Sequence, residues 1–102
     1  MEIKIVWSEV SEQQLKDIFD YYSVEANSRI ARKIINKIIN RVSILETAPQ
    51  SGTKEDLLSS HTEDFRYLIE GNYKIIYWQN NKLITIAAVF DCRQNPEKIK
   101  TF

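Results

Sequence analysis

Ile3, Ile5 and Trp7 alternate with Glu2, Lys4 and Val6, the period-two pattern of a strand with one face in a core. Leu15, Ile18, Phe19 and Tyr22 then recur at helical spacing among Glu12, Lys16, Asp17 and Asp20, which predicts a helix with one apolar stripe turned toward a sheet. Ser8 or Ser11 suits its N-cap, and Ser11 has Gln14 three residues on, the spacing of a reciprocal capping box. The stretch EANSR breaks the pattern. Asn27 or Ser28 caps a second helix, which runs through Ala31, Ile34, Ile35, Ile38, Ile39, Val42 and Leu45 and is ended by Pro49. Two helices so close in sequence form a hairpin.

The segment PQSGTKED supplies the turn formers Pro49, Ser51 and Gly52 and reverses the chain. From Phe65 to Ile86 three apolar, β-branched and aromatic runs are separated by Gly71-Asn72 and Asn80-Asn81, residues that tolerate the positive φ of tight hairpins. The predicted order is β-α-α-β-β-β: an α+β fold whose helical hairpin packs on one face of a small, mostly antiparallel sheet. The other face is left to solvent or to a partner. All 102 residues fit one domain, with no linker, repeat or low-complexity segment. The tail DCRQNPEKIKTF is expected to return across the sheet edge, with Pro96 starting a short turn or helix and Arg93 near the exposed face.

Charge changes this picture little. Lysine and arginine balance aspartate and glutamate at 14 each, so the summed field attracts neither nucleic acid nor an anionic membrane, and any such contact needs a local patch. Cys92 has no second cysteine to pair with, the N-terminus lacks a secretion signal, and no apolar run reaches the roughly 18 residues of a membrane span. A cytoplasmic protein is expected. His61, the single histidine, and Cys92 offer no metal-ligand cluster, so no metal or cofactor is expected, and Cys92 reads as a small packed residue.

The segment FRYLIEGNYKIIYWQNNKLITIAAVFDCRQNP resembles the RelE/ParE family of toxins from bacterial type II toxin–antitoxin systems, in Arg66 and Leu68, in NYKIIY from Asn72 to Tyr77, and in VFDxRQNP from Val89 to Pro96. Trp7-Ser8 before the first helix and the Pro49/Gly52 pair are similar to it too. The resemblance implies a β-α-α-β-β-β fold, a cognate antitoxin that wraps the toxin in a hetero-oligomer, a part in plasmid stabilisation, and growth inhibition by one of two routes. RelE-like members cut messenger RNA on the ribosome; ParE-like members poison DNA gyrase.

Metal-free RNA cleavage needs a base for the 2′-hydroxyl, cations for the charged phosphorane and an acid for the leaving oxygen. The candidates are Arg66 and Arg93 to hold the phosphate, with His61, Tyr73 or Lys74 in proton transfer. Arg66, Lys74 and Arg93 form a basic cluster if the strands register suitably. The bland readings stand beside these: His61 as a solvated loop residue, Arg66 in an ion pair with Glu70 or Asp91. RelE-like nucleases resemble one another in a basic sheet face and a C-terminal tyrosine or histidine, whereas the tail after Arg93 holds neither, and Glu63 and Asp64 stand where lysines are usual. Tyr67, Tyr73, Tyr77 and Trp78 are candidates to stack bases, although alternation sends some of them to the core.

The reading is therefore a ParE-like gyrase binder. The alternatives are a RelE-like mRNA endonuclease and an inactive toxin that retains only antitoxin binding. The second helix carries more apolar residues than one sheet contact requires, Ile30, Ile34 and Ile38 beside Ile35, Ile39 and Val42, which an antitoxin segment or a homodimer contact explains.

Overall fold

The computed structural model describes residues 2–93, and the order is β1 (Lys4–Trp7), α1 (Glu9–Glu25), α2 (Ser28–Ser43), β2 (Thr53–Lys54), β3 (Arg66–Glu70), β4 (Tyr73–Asn80) and β5 (Leu83–Asp91). The α+β class and helical hairpin are as expected, with the two-residue β2 as an addition. The five strands lie in the order β1-β5-β4-β3-β2. Among the described residues only the β1–β5 pair is parallel. A parallel pair needs a long crossover, and the remainder of the chain, the helical hairpin included, supplies it. The expected turn at Pro96 and the return of the tail lie outside the described residues.

Ser8 is the cap of α1: its Oγ accepts the Ser11 N–H at 3.0 Å, and the buried Ser11 hydroxyl donates back to the Ser8 carbonyl at 2.8 Å. The Ser11–Gln14 capping box does not form, because Gln14 reaches across to the sheet, where its Oε1 accepts the Val89 N–H at 2.6 Å. That contact answers an irregularity in β5. Tyr77 pairs with Ile86 while Ile76 pairs with Ala88, so Ala87 is an extra residue, a bulge whose backbone groups fall out of the ladder. The Ser8 hydroxyl donates to the Ala87 carbonyl at 2.9 Å, and the Ser8 N–H to the Ile86 carbonyl at 3.0 Å. The start of α1 therefore completes the hydrogen bonding of the bulge.

Asn27 caps α2 by accepting the Ile30 N–H at 2.9 Å. The α-helix stops at Ser43 and tightens into a 3-10 turn, Ile44–Glu46, so Pro49 belongs to the following loop and does not end the helix. Gly71 at φ +59° makes the first hairpin turn with Asn72 as expected. The second turn is one residue later than expected, at Asn81-Lys82, with Asn81 at φ +57°.

Ile38, Val42 and Leu45 pack with Leu68, Ile75, Tyr77, Ile84 and Ile86 in the main core between hairpin and sheet. A second cluster lies on the other face. There Leu58, Ile76, Ala87 and Ala88 are buried with Leu57, Phe65, Tyr67, Trp78 and Phe90 against them. The chain's own segment 55–65 thus covers part of the face that the sequence left to solvent or to a partner.

Candidate functional site

Alternation along β4 sends Lys74 to this second face, where its Nζ lies 2.8 Å from Glu55 Oε2 and 4.2 Å from the centre of the Tyr67 ring. Glu55 is buried, and its Oε1 accepts the Leu57 N–H at 3.2 Å, so one carboxylate pairs with Lys74 and caps the 3-10 turn Asp56–Leu58. The ion pair fastens segment 55–65 to the sheet. His61 is exposed on that segment, its ring edge-on to Phe65 at 5.5 Å. The hollow here, about 450 Å³, is lined by Glu55, Asp56, Glu63 and Asp64 with Lys54 and His61. Carboxylates outnumber cations in it, the reverse of what holds RNA.

Arg66 faces the helix side at one end of the sheet. Its Nη1 donates to the Gly52 carbonyl at 3.0 Å and its Nε to Asp64 Oδ2 at 3.2 Å. Its carboxylate partner is therefore Asp64, not Glu70 or Asp91. Beside it the buried Tyr77 hydroxyl accepts the Gly52 N–H and donates to the Pro49 carbonyl, each at 2.9 Å. Burial pushes the Tyr77 phenol above its ordinary pKa. A polar cleft of about 300 Å³ opens here between Gln50, Asp64, Arg66 and Gln79.

The opposite end of β4 holds a third group. Tyr73 pairs in register with Asp91, and Arg93 forks onto that carboxylate, Nη2 to Oδ2 at 2.8 Å and Nε to Oδ1 at 3.0 Å. The Tyr22 hydroxyl neighbours both Tyr73 and Arg93. Burial and the neighbouring Tyr22 push the Tyr73 phenol well above its usual pKa, which keeps it protonated and unavailable as a base. The bond from Arg93 pulls Asp91 below the usual carboxylate range. Cys92 is exposed and not packed as expected.

The five candidate residues do not converge. Arg66 lies opposite Tyr77 and Asp91 opposite Tyr73, so the two arginines occupy opposite ends of β4, with Lys74 on the other face. The basic cluster that a favourable register would have allowed does not form, and each cation has its own carboxylate: Asp64, Glu55 and Asp91. Tyr73 and Tyr77 are core residues, and Tyr67 sits under Lys74, which removes them as free stacking platforms. Glu55 and Tyr22 escaped the sequence reading because their partners are distant in the chain. Arg29, Arg32, Lys33 and Lys37 of α2, which join no ion pair among the described residues, escaped it although a helix with five basic and no acidic residues is visible in the sequence.

Residues 5–96 match the sequence pattern of the family described as ParE toxin of type II toxin-antitoxin system, parDE. The chain belongs to the ParE toxin family. The fold of this ParE-type toxin is similar to that of a solved structure described as "Chromosomal ParDE TA system from P. aeruginosa", with a TM-score of 0.72 over 87% of this chain and 95% of that one, at 20% identity. No curated protein matches the toxin in sequence. Among the described residues, no helix is long and apolar enough to cross a membrane, and no group of three or more His, Cys, Asp or Glu side chains could hold a metal.

Proposed function

We propose that this ParE-type toxin arrests growth by binding DNA gyrase in the cytoplasm, without chemistry of its own, and that a cognate antitoxin neutralises it in a hetero-oligomeric complex. The dispersal of Arg66, Lys74 and Arg93, each held by a carboxylate, carries this reading. A metal-free ribonuclease needs a base, an acid and uncommitted cations within reach of one phosphate. Here His61 lies on an exposed loop, Tyr73 is buried and held protonated, and Lys74 is spent on Glu55. Arg66 and Arg93, exposed in part at the two ends of the sheet, are left as residues that contact a protein target. Mapping of messenger RNA 5′ ends soon after induction of the toxin alone tests this. Growth arrest with intact messages is expected. New ends at codon-related positions would replace the reading with a RelE-like endonuclease, and unhindered growth would leave a toxin that retains only antitoxin binding.

A further inference from the structure

We infer that the outer face of α2 is a binding site for the phosphate backbone of duplex nucleic acid, a contact that the gyrase reading neither requires nor supplies. The balanced charge of the whole chain hides a separation. Helix α1 carries Glu9, Glu12, Asp17, Asp20 and Glu25 against Lys16 alone, whereas α2 carries Arg29, Arg32, Lys33, Lys37 and Arg41 and no carboxylate. Arg29, Lys33, Lys37 and Arg41 follow at intervals of four and form one row along the helix, with Arg32 beside it.

The row is unfavourable to the folded chain by itself. Like charges four residues apart repel, and Arg29 stands in a first turn that has no acidic residue, next to the positive end of the helix dipole. Acidic α1 packs against the other side of α2 and gives the row no relief. Arg29, Arg32, Lys33 and Lys37 are exposed, and none of them joins an ion pair among the described residues. Such a local conflict without internal compensation marks a functional surface more often than a structural one.

Direction points the same way. Arg41 donates from Nε to the Ile69 carbonyl at 3.1 Å, which sets the row on the β3 side of α2, while α1 packs over β5. The acidic helix is thus on the far side from an approaching polyanion. From Arg29 to Arg41 the row is about 18 Å long, the rise of about five phosphates on one strand. Between Ile30 on one flank and Ile39 on the other, the outward sector holds only Arg, Lys, Asn and Ser, with Asn36 and Asn40 among the cations. An acidic peptide needs apolar anchors to bury, and this sector offers none at its centre, whereas a phosphate backbone needs only cations and hydrogen-bond donors.

The test is fluorescence anisotropy of a labelled mixed-sequence DNA duplex of about 20 base pairs, titrated with the purified toxin from about 50 to 200 mM salt. With four phosphates neutralised, log K falls with log salt at a slope of about −3.6, roughly a 150-fold loss over that range. Lys33→Gln with Lys37→Gln is expected to halve the slope, and Arg29→Gln with Arg32→Gln to do the same, while both variants unfold at or above the parent's temperature because a repulsion is gone. No binding at the lowest salt overturns the site. So does a slope that neither variant changes, or capture of a polyglutamate peptide in preference to the duplex, which would assign the row to an acidic protein.

Discussion

The Tyr77 hydroxyl is the contact on which the arrangement around Arg66 rests. It lies in the core 1% exposed, yet satisfies two backbone groups of the loop that also supplies a carbonyl to Arg66. Gly52 is required here by space. A Cβ on it would stand 2.5 Å from the Tyr77 hydroxyl oxygen and 2.8 Å from the Tyr67 carbonyl, and the tyrosine is packed on its other sides. Gly52→Ala should therefore cost about 1–3 kcal/mol by overpacking, and Tyr77→Phe about 1–3 kcal/mol by leaving the Gly52 N–H and Pro49 carbonyl unpaired, both read from urea unfolding midpoints. The pair was visible in the sequence as a P-x-x-G turn and a strand tyrosine. Their meeting was not, because it joins residues on different elements.

Tyr77 and Tyr73 together set the response to alkali. Burial raises the phenol pKa of both Tyr73 and Tyr77 in the folded chain, while the unfolded chain releases those protons near pH 10. Below about pH 10 both states hold the protons and the stabilisation is complete; above it the unfolded state binds fewer protons, so stability falls as pH rises toward the folded values. Unfolding midpoints should drop above about pH 10 in the parent, and the drop should be smaller in Tyr73→Phe. Asp91 acts at the other end. Its lowered pKa contributes stability above about pH 4 that is lost as pH falls through the folded value.

At the scale of elements, segment 55–65 behaves as a cover fixed at one point. Leu57, Leu58 and Phe65 seal the second face, and the Lys74–Glu55 pair locks them there, with the Glu55 side chain 4% and that of Lys74 19% exposed. Lys74→Met leaves a buried carboxylate without its cation and should cost about 3 kcal/mol, the low end for a buried pair because Lys74 keeps some solvent. Proteolysis within 55–65 should quicken in that variant, with the Glu55→Gln/Lys74→Met double substitution recovering part of the loss. Helices and long strands were legible in the sequence because each repeats one period over many residues. This cover was not, since its leucines sit in a single 3-10 turn, and neither was β2, with two residues and no period at all. The Ala87 bulge was equally hidden: LITIAAVF alternates acceptably without it, and only Ser8 and Gln14, far away in the chain, reveal it.

At the scale of the molecule, topology decides how much of the candidate site survives. In the sequence, Arg66, Lys74 and Arg93 could meet only under a favourable register. The register instead spreads them over both faces and both ends of β4, each with a carboxylate of its own. Family motifs recur in sequence whether their cations are catalytic or structural, so the motif alone could not separate a nuclease from a target binder. The pairing of the cations with separate carboxylates speaks against one shared phosphate site and supports the proposed target binder. The most direct measurement is supercoiling of relaxed plasmid by purified DNA gyrase, with the toxin added in excess, alone and then with its antitoxin. Supercoiling is expected to stop with the toxin and to resume with the antitoxin. Full supercoiling at every toxin concentration would contradict it.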